Sequence, residues 1–362
     1  EVPEEERVPT RLAVFDVSDP AAPELVSLTN IPHPFPWQRG HWSWWYTAES
    51  GDNVVQVGSA IAVKRDVYDY WWYGGENEQD QPELYVIDVT VPEAPEVSYT
   101  LARQENVRYG ALMTRGSRVI TSYYEPVPGA PDGTVAFYMR QLDLSDPANP
   151  QWLPAVNVPG SVVDFNPSTN RIVTVDYQIF SFPGADWDFC YQNAHGRYVW
   201  FENGECSYLQ RILAISAFDG QDAWLQRTHT FDGWIRHIRA TGSRLFVEEQ
   251  PVEYWYWYDT NGGREPDIRS ILHVIPLNSD SYDITASVRM PSPYCYLVEA
   301  FGNHAMIVSD SPPTLSVYNA ANPQNPVSRG ENLLTGYSYD MQFTNGRVVS
   351  ANSMWGVQVI DP

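Results

Sequence analysis

Apolar positions in this chain come in short runs. LAVF at 12–15, LYVI at 84–87 and LSVY at 315–318 are each stopped after a few residues by Asp, Asn, Gly or Pro. Runs of that length, rich in β-branched and aromatic residues, predict strands. No segment carries a convincing helical period, so the chain is predicted to be all-β.

The segments after these runs are regular. DVSDPAAPELV at 16, DVTVPEAPEVS at 88, DLSDPANPQWL at 143 and NAANPQNPVSR at 319 each place proline four and seven residues after a leading Asp or Asn. Degenerate copies start at Asp219 and Asn278, and a partial one, GVQVIDP, carries Asp361. Proline cannot donate to a ladder and presets φ for a turn, so each copy ends one strand and starts the neighbour that pairs back on it. A second hairpin type lies between these copies: SGDNVVQV, RGSRVITS, STNRIVTV, TGSRLFVE, GNHAMIVS and NGRVVSAN. Gly or Asn there supplies the positive φ that a tight hairpin needs. The repeating unit is therefore strand A, tight turn, strand B, loop, strand C, Asp-Pro turn, strand D.

The leading residues are spaced by 72, 55, 76, 59, 41 and 42. The last two spacings match a four-stranded propeller blade of about 40–45 residues, and the others are that unit plus insertions. The predicted fold is a β-propeller of four-stranded blades. Six A strands indicate six blades, with seven as the alternative. Residues 1–10 read as a tail, and 11–362 as one propeller domain closed by pairing of its N- and C-terminal strands. The DxSDPxxPxLV signature after LxVxD resembles the secreted propeller repeats of bacteria and archaea often called LVIVD-type. That resemblance implies export and a binding or scaffolding role, and it supplies no catalytic motif.

In such a repeat the A–B and C–D turns share one face and the B–C and D–A loops share the other. The insertions fall in B–C loops at about 64–82, 123–134, 180–208 and 250–268 and in a D–A loop at 31–44, all on one face. Their chemistry is similar. Residues 64–82 hold Trp71 and Trp72, 180–208 hold Trp187 and Trp200, and 250–268 hold Trp255 and Trp257, each loop with a net charge of -3; the D–A loop adds Trp42, Trp44 and Trp45. Tyr and Trp give rigid contact area at low entropic cost and stack on sugar rings. Trp42, Trp44, Trp71, Trp72, Trp187, Trp200, Trp255 and Trp257 are thus ligand-binding candidates, the competing reading being that they form small cores for their own loops.

Charge narrows the partners. With 45 acidic against 22 basic residues the formal charge is -23. Nucleic acid, whose phosphates need a basic surface, is excluded. No 18-residue apolar run predicts a membrane span. The polar N-terminus is expected to carry no signal peptide, any that existed having been removed. Cys190 and Cys206 bracket a polar loop and predict a disulfide, hence a secreted or cell-surface protein, with the periplasm included; two free thiols are the other reading. Cys295 reads as a small core residue.

Catalytic and metal motifs are sparse. Counting back six residues from the turn residues Gly51, Gly116, Asn170, Gly242, Gly302 and Gly346 gives Trp45, Gly110, Asp164, Arg236, Tyr296 and Asp340. On unbroken strands these lie at one level, where Asp164 and Asp340 would flank Arg236 and could act as a glycosidase carboxylate pair. An internal ion pair or solvated channel lining is the plainer reading; the functional one is a polar floor beneath the aromatic rim, with Arg236 as a further ligand-binding candidate. His33, His41 and His195 fall on the loaded face and could hold copper or zinc. Asp259 and Asn261 alternate as calcium ligands do but lack the later acids of an EF-hand loop. No cofactor is expected, with calcium ahead of copper as the exception. His229, His237, His273 and His304 read as structural. The leading expectation is a non-catalytic module that binds an extracellular protein, peptide or glycan; the rivals are a carbohydrate-active enzyme and a metal-dependent extracellular protein.

Overall fold

A computed structural model describes residues 11–19, 21–31, 54–64, 82–102, 104, 107–130, 134–193, 199–251, 269–278, 281–310, 312–336, 340–352 and 356–361. The fold is all-β, a propeller of six blades. The described residues form two compact units that divide after Asn157.

The first unit holds a hairpin of β1 (Arg11–Asp16) and β2 (Glu24–Asn30) and two blades. Blade 1 is β3 (Val54–Val57), β4 (Ala60–Lys64), β5 (Pro82–Asp88) and β6 (Glu96–Ala102), paired in that order. Blade 2 has a broken inner strand, β7 (Arg108–Tyr109) and β8 (Met113–Arg115), then β9 (Arg118–Pro126) and β10 (Val135–Asp143), and a broken outer strand, β11 (Gln151–Trp152) and β12 (Val156–Val158). Ala60, Ala62, Leu84 and Val86 of blade 1 pack on Leu112, Val119 and Leu142 of blade 2.

The second unit holds four blades. Blade 3 is β13 (Ser161–Asn166), β14 (Arg171–Pro183), β16 (Glu205–Phe218) and β17 (Ala223–Phe231), with α1 (Trp187–Asn193) and β15 (Val199–Glu202) inserted between β14 and β16. Blade 4 is β18 (Trp234–Thr241), β19 (Arg244–Gln250), β20 (Ile271–Pro276) and β21 (Ala286–Arg289). Blade 5 is β22 (Cys295–Phe301), β23 (His304–Asp310), β24 (Pro313–Asn319) and β25 (Val327–Leu333). β26 (Asp340–Thr344), β27 (Arg347–Ala351) and β28 (Val357–Ile360) form the sixth sheet. Apolar side chains on alternate strand positions make successive cores, Val173, Leu213 and Ile215 against Ile238, Leu245 and Val247, then Phe246 and Leu272 against Leu297 and Ile307.

The Asp-Pro repeat has a physical basis. The leading side chain caps its own turn: Asp16, Asp88, Asp143 and Asn319 accept from the backbone N–H two residues on at 2.8, 2.8, 2.9 and 2.7 Å. The residue just past strand C then donates to the A–B turn of the same blade, as in Val89 N to Ser59 O, Leu144 N to Ser117 O, Leu277 N to Ser243 O and Ala320 N to Asn303 O, at 2.7–2.9 Å. Both short turns therefore lie at one end of each blade, and the B–C insertions leave from the other.

Three expectations need correction. The first A–B turn is Gly58-Ser59, with Gly58 at φ 57°, not Gly51; VVQV is the inner strand and AIAVK the second one. Helix is present once among the described residues, in the seven-residue α1 capped by Asp186, whose Oδ1 accepts from Phe189 N at 2.8 Å. The inner strands are bulged, at Val163 in β13, Arg236 in β18 and Val298 in β22.

Candidate functional site

Trp42, Trp44, Trp45, Trp71, Trp72, Trp255, Trp257, His33, His41, His195, Asp259 and Asn261 lie outside the described residues. Among the described residues no group of three or more His, Cys, Asp or Glu is placed to hold a metal. The remaining candidates fall in two places, both in the second unit.

The first is the insertion in blade 3. β14 and β16 do not end with the blade; their ladder runs on from Tyr177–Arg211 to Pro183–Glu205. β15 adds a third strand through an Asn203-Gly204 turn with φ of 53° and 81°, the left-handed pair a tight hairpin demands. The result is a β-arm carrying α1. Cys190 of α1 and Cys206 of β16 form the expected disulfide, with Cα atoms 5.3 Å apart. Around it Val199, Phe182, Tyr191, Phe201 and Tyr208 make a small core, so part of the loop's aromatic content is its own packing. Gly184 closes against the bridge: a Cβ there would sit 2.1 Å from Cys206 Sγ.

The rest of the arm's apolar surface faces water. Tyr177 is 59% exposed, Ile179 56%, Phe180 39%, Trp187 41% and Phe189 40%. Phe180 stacks on Tyr208 at 5.3 Å and Trp187 on Tyr191 at 5.6 Å, within 5° of parallel. Trp200 is half-buried on β15. Such clustering of exposed aromatics exceeds the scattered apolar residues of an ordinary surface.

The second place is the inner strands. Counted from each hairpin turn, the third rung holds Asp164 opposite Val173, Arg239 opposite Phe246 and Glu299 opposite Met306. An acid, a base and an acid share this rung, but of the predicted row only Asp164 belongs to it; the other two places are held by Arg239 and Glu299, not Arg236 and Asp340. The longer 167–170 turn of blade 3 brings Asp164 two rungs nearer its turn, and the bulge at Arg236 takes that residue out of register. Asp340 pairs with Ala351 on the fifth rung, level with Ser161, His237 and Tyr296, so the predicted Asp164–Asp340 pair is not on one level. Arg236 is itself the bulge residue.

Each charged group in this row is bound to its neighbours. Asp164 accepts from Phe165 N at 2.7 Å and from Ala240 N of blade 4 at 2.5 Å. Burial pushes its carboxyl up to about 6 against the pull of these bonds and of Arg239. Arg239 donates to Val298 O at 3.1 Å and lies 3.7 Å from Glu299. Glu248 is fully buried; it lies 2.7 Å from His237 Nδ1 and 3.6 Å from Arg236 Nη1, and accepts from Leu297 N at 2.8 Å. Burial raises Glu248, but Arg236, His237 and Leu297 N outweigh it and hold the carboxyl below its usual range. Burial lowers His237 despite Glu248.

The sequence reading missed Glu248 and Glu249. The signal was present: two consecutive acids inside an apolar strand, RLFVEEQ, must point to opposite faces and each needs a buried partner. Of the histidines read as structural, His229 bonds Tyr282 O at 2.8 Å and His304 stacks on Phe301 at 4.9 Å. Cys295 is buried.

No family model matches the chain, and no curated protein matches it. Solved structures do. An acylaminoacyl peptidase from Pyrococcus horikoshii is 9% identical at a TM-score of 0.46, over 86% of this chain but only 45% of the peptidase. A functionally unknown protein from Desulfotomaculum acetoxidans is 9% identical at 0.43, over 85% and 82% of the two chains. A hypothetical selenium-binding protein from Sulfolobus tokodaii is 11% identical at 0.41, over 75% and 65%.

Proposed function

We propose that the protein is a secreted binding module that engages an extracellular protein or glycan through its aromatic, acidic insertions and performs no chemistry there. One observation carries this reading. The blade 3 arm is stapled by a disulfide and still leaves Tyr177, Ile179, Phe180, Trp187 and Phe189 in water. Exposing that much apolar surface is unfavourable unless a partner covers it. Flat stacked pairs such as Trp187–Tyr191 suit a sugar face or an apolar side chain. A disulfide fits an oxidising compartment, and the net charge of -23 suits an uncharged or basic partner.

The test is a saturable-binding screen of the purified protein against arrayed glycans and purified extracellular proteins. Trp187→Ala and Phe180→Ser change exposed positions and should leave the fold intact. Each is expected to weaken a hit by about tenfold or more, the scale of an aromatic hot spot. Hits that bind both variants as tightly as the parent, or no hit at all, overturn the reading.

A further inference from the structure

Blade 4 carries a side-chain relay that the binding role does not use and that stands independently of it. Glu249 on β19, His273 on β20 and Ser287 on β21 occupy three neighbouring strands. Leu245, Val247 and Ile275 belong to the core against blade 3, and strand alternation turns Glu249 and His273 to that same face. His273 Nε2 lies 2.8 Å from Glu249 Oε2, and His273 Nδ1 lies 2.8 Å from Ser287 Oγ. Glu249 Oε1 accepts from Gly233 N at 2.7 Å, which fixes the carboxylate.

Proton roles are set by the partners. An ionised carboxylate only accepts, so Nε2 carries the imidazole proton and Nδ1 is left as acceptor for the Ser287 hydroxyl. The imidazole is buried beneath the Phe231 ring at 5.3 Å, while Ser287 is exposed. The order is carboxylate, imidazole, accessible hydroxyl, with both links at hydrogen-bond distance. A carboxylate, an imidazole and a hydroxyl linked in that order are the groups that activate a serine nucleophile, here with the two ring nitrogens exchanged relative to the usual triad.

The ladder supplies one more group. Met290 N donates to Ser270 O, and hydrogen-bonded pairs alternate along an antiparallel ladder, so His273–Ser287 is a non-hydrogen-bonded pair. The Ser287 N–H therefore points out of the sheet along its edge, beside its own Oγ, where it can meet a developing oxyanion.

We propose that Ser287 is a nucleophile for acyl esters, with His273 as its base and Glu249 as the residue that positions His273. Ser287 Oγ bonds to the ester carbonyl carbon as its proton passes to His273 Nδ1. The tetrahedral adduct collapses with cleavage of the C–O bond, and the departing alkoxide takes the proton from Nδ1. Water, deprotonated by the same nitrogen, then attacks the acyl-serine and releases the acid and Ser287. No electrons change hands. An ester carried on an open, exposed group suits a nucleophile on a sheet edge.

The probe is a fluorophosphonate, followed by intact mass and peptide mapping. One adduct is expected, on Ser287 and absent from Ser287→Ala. His273→Asn is expected to lower the labelling rate by about a hundredfold or more, the scale of a lost general base. Because His273 is buried, Glu249→Gln gives a second arm. A glutamine can keep the Gly233 N bond while its amide donates to Nε2, forcing the proton onto Nδ1 and leaving the hydroxyl without an acceptor. Labelling should then collapse while the thermal melt barely moves. No adduct, an adduct elsewhere, or Glu249→Gln labelling at the parent rate with the fold retained overturns the proposal.

Discussion

Asp164 offers a direct test of how the inner strands join their blades. Its carboxylate is bonded to Phe165 N and, in the next blade, to Ala240 N. Burial nonetheless lifts the carboxyl from 3.8 to about 6. A carboxyl raised on folding holds its proton more tightly in the folded than in the unfolded chain. Between about pH 4 and about pH 6 the folded state therefore carries more protons, and stability falls as pH rises through that window. The lift corresponds to roughly 3 kcal/mol between the two protonation states; partial exposure of the side chain reduces this to about 2 kcal/mol. Glu248 and Glu249 are held low and give the opposite slope, so the parent's own pH profile mixes both. Asp164→Asn separates them. Its amide cannot titrate, and its altered bond to Ala240 N adds a constant that does not vary with pH. Urea unfolding of parent and variant at half-unit steps from pH 4 to pH 7 gives a difference curve that isolates Asp164. Parent minus variant stability is expected to drop by about 2 kcal/mol across the window and then level off. A flat or rising difference would show that the carboxylate is stabilised in place, and would refute the assignment of burial as the dominant influence.

Other outcomes rest on the same contacts. Glu248→Ala leaves His237, Arg236 and Leu297 N facing a buried gap and is expected to cost about 3–5 kcal/mol in urea unfolding, with Glu248→Gln costing less because it still accepts from Leu297 N. Gly184→Ala places a methyl against Cys206 Sγ, so a thiol titration of the unfolded, unreduced protein should rise from one free cysteine towards three. Reducing the Cys190–Cys206 bridge frees a loop spanning 16 residues and should cost about 3 kcal/mol, read locally as faster protease cleavage within the arm and an unchanged rate in blade 5.

The blade pattern was legible because the same side chain does two jobs. Asp or Asn at the head of each repeat ends the strand and caps the turn through its own carboxyl or amide oxygen, so a motif visible in one dimension is also the hydrogen bond that sets the blade's end. Bulges leave no such mark. A valine, an arginine and a valine occupy the bulges, and the β13–β14 turn is two residues longer than the matching turns of the next three sheets, so counting along the chain placed Arg236 and Asp340 level with Asp164 where the ladder puts Arg239 and Glu299. The first turn was misplaced for a related reason: SGDN and GSA both offer small turn residues, and only pairing of Val57 with Ala60 decides between them. The blade 3 insertion was legible as an aromatic loop with a disulfide. That it continues the blade's own strands was not, because Gln178 and Ser181 break the apolar alternation that would have extended β14.

The buried charges of the second unit also explain why sequence alone overstated a catalytic row. Asp164 ends on Ala240 N, Asn166 on Gly242 O, Arg239 on Val298 O, Glu248 on Leu297 N and Arg244 on Ala320 O, and in every case the partner is backbone of the next blade. Among the described strands of the second unit adjacent blades share no ladder, so these side chains supply the directional bonds that apolar packing between blades lacks. A polar residue recruited for that purpose has its directional bonding committed to the neighbouring backbone. Glu249 departs from the rule. One oxygen is tied to Gly233 N within its own blade, and the other leads through His273 to a hydroxyl that water can reach. A chain of bonds that only held blades together would have no reason to end in solvent, and that difference, not the number of acids near the strands, separates Ser287 from the structural ties around it.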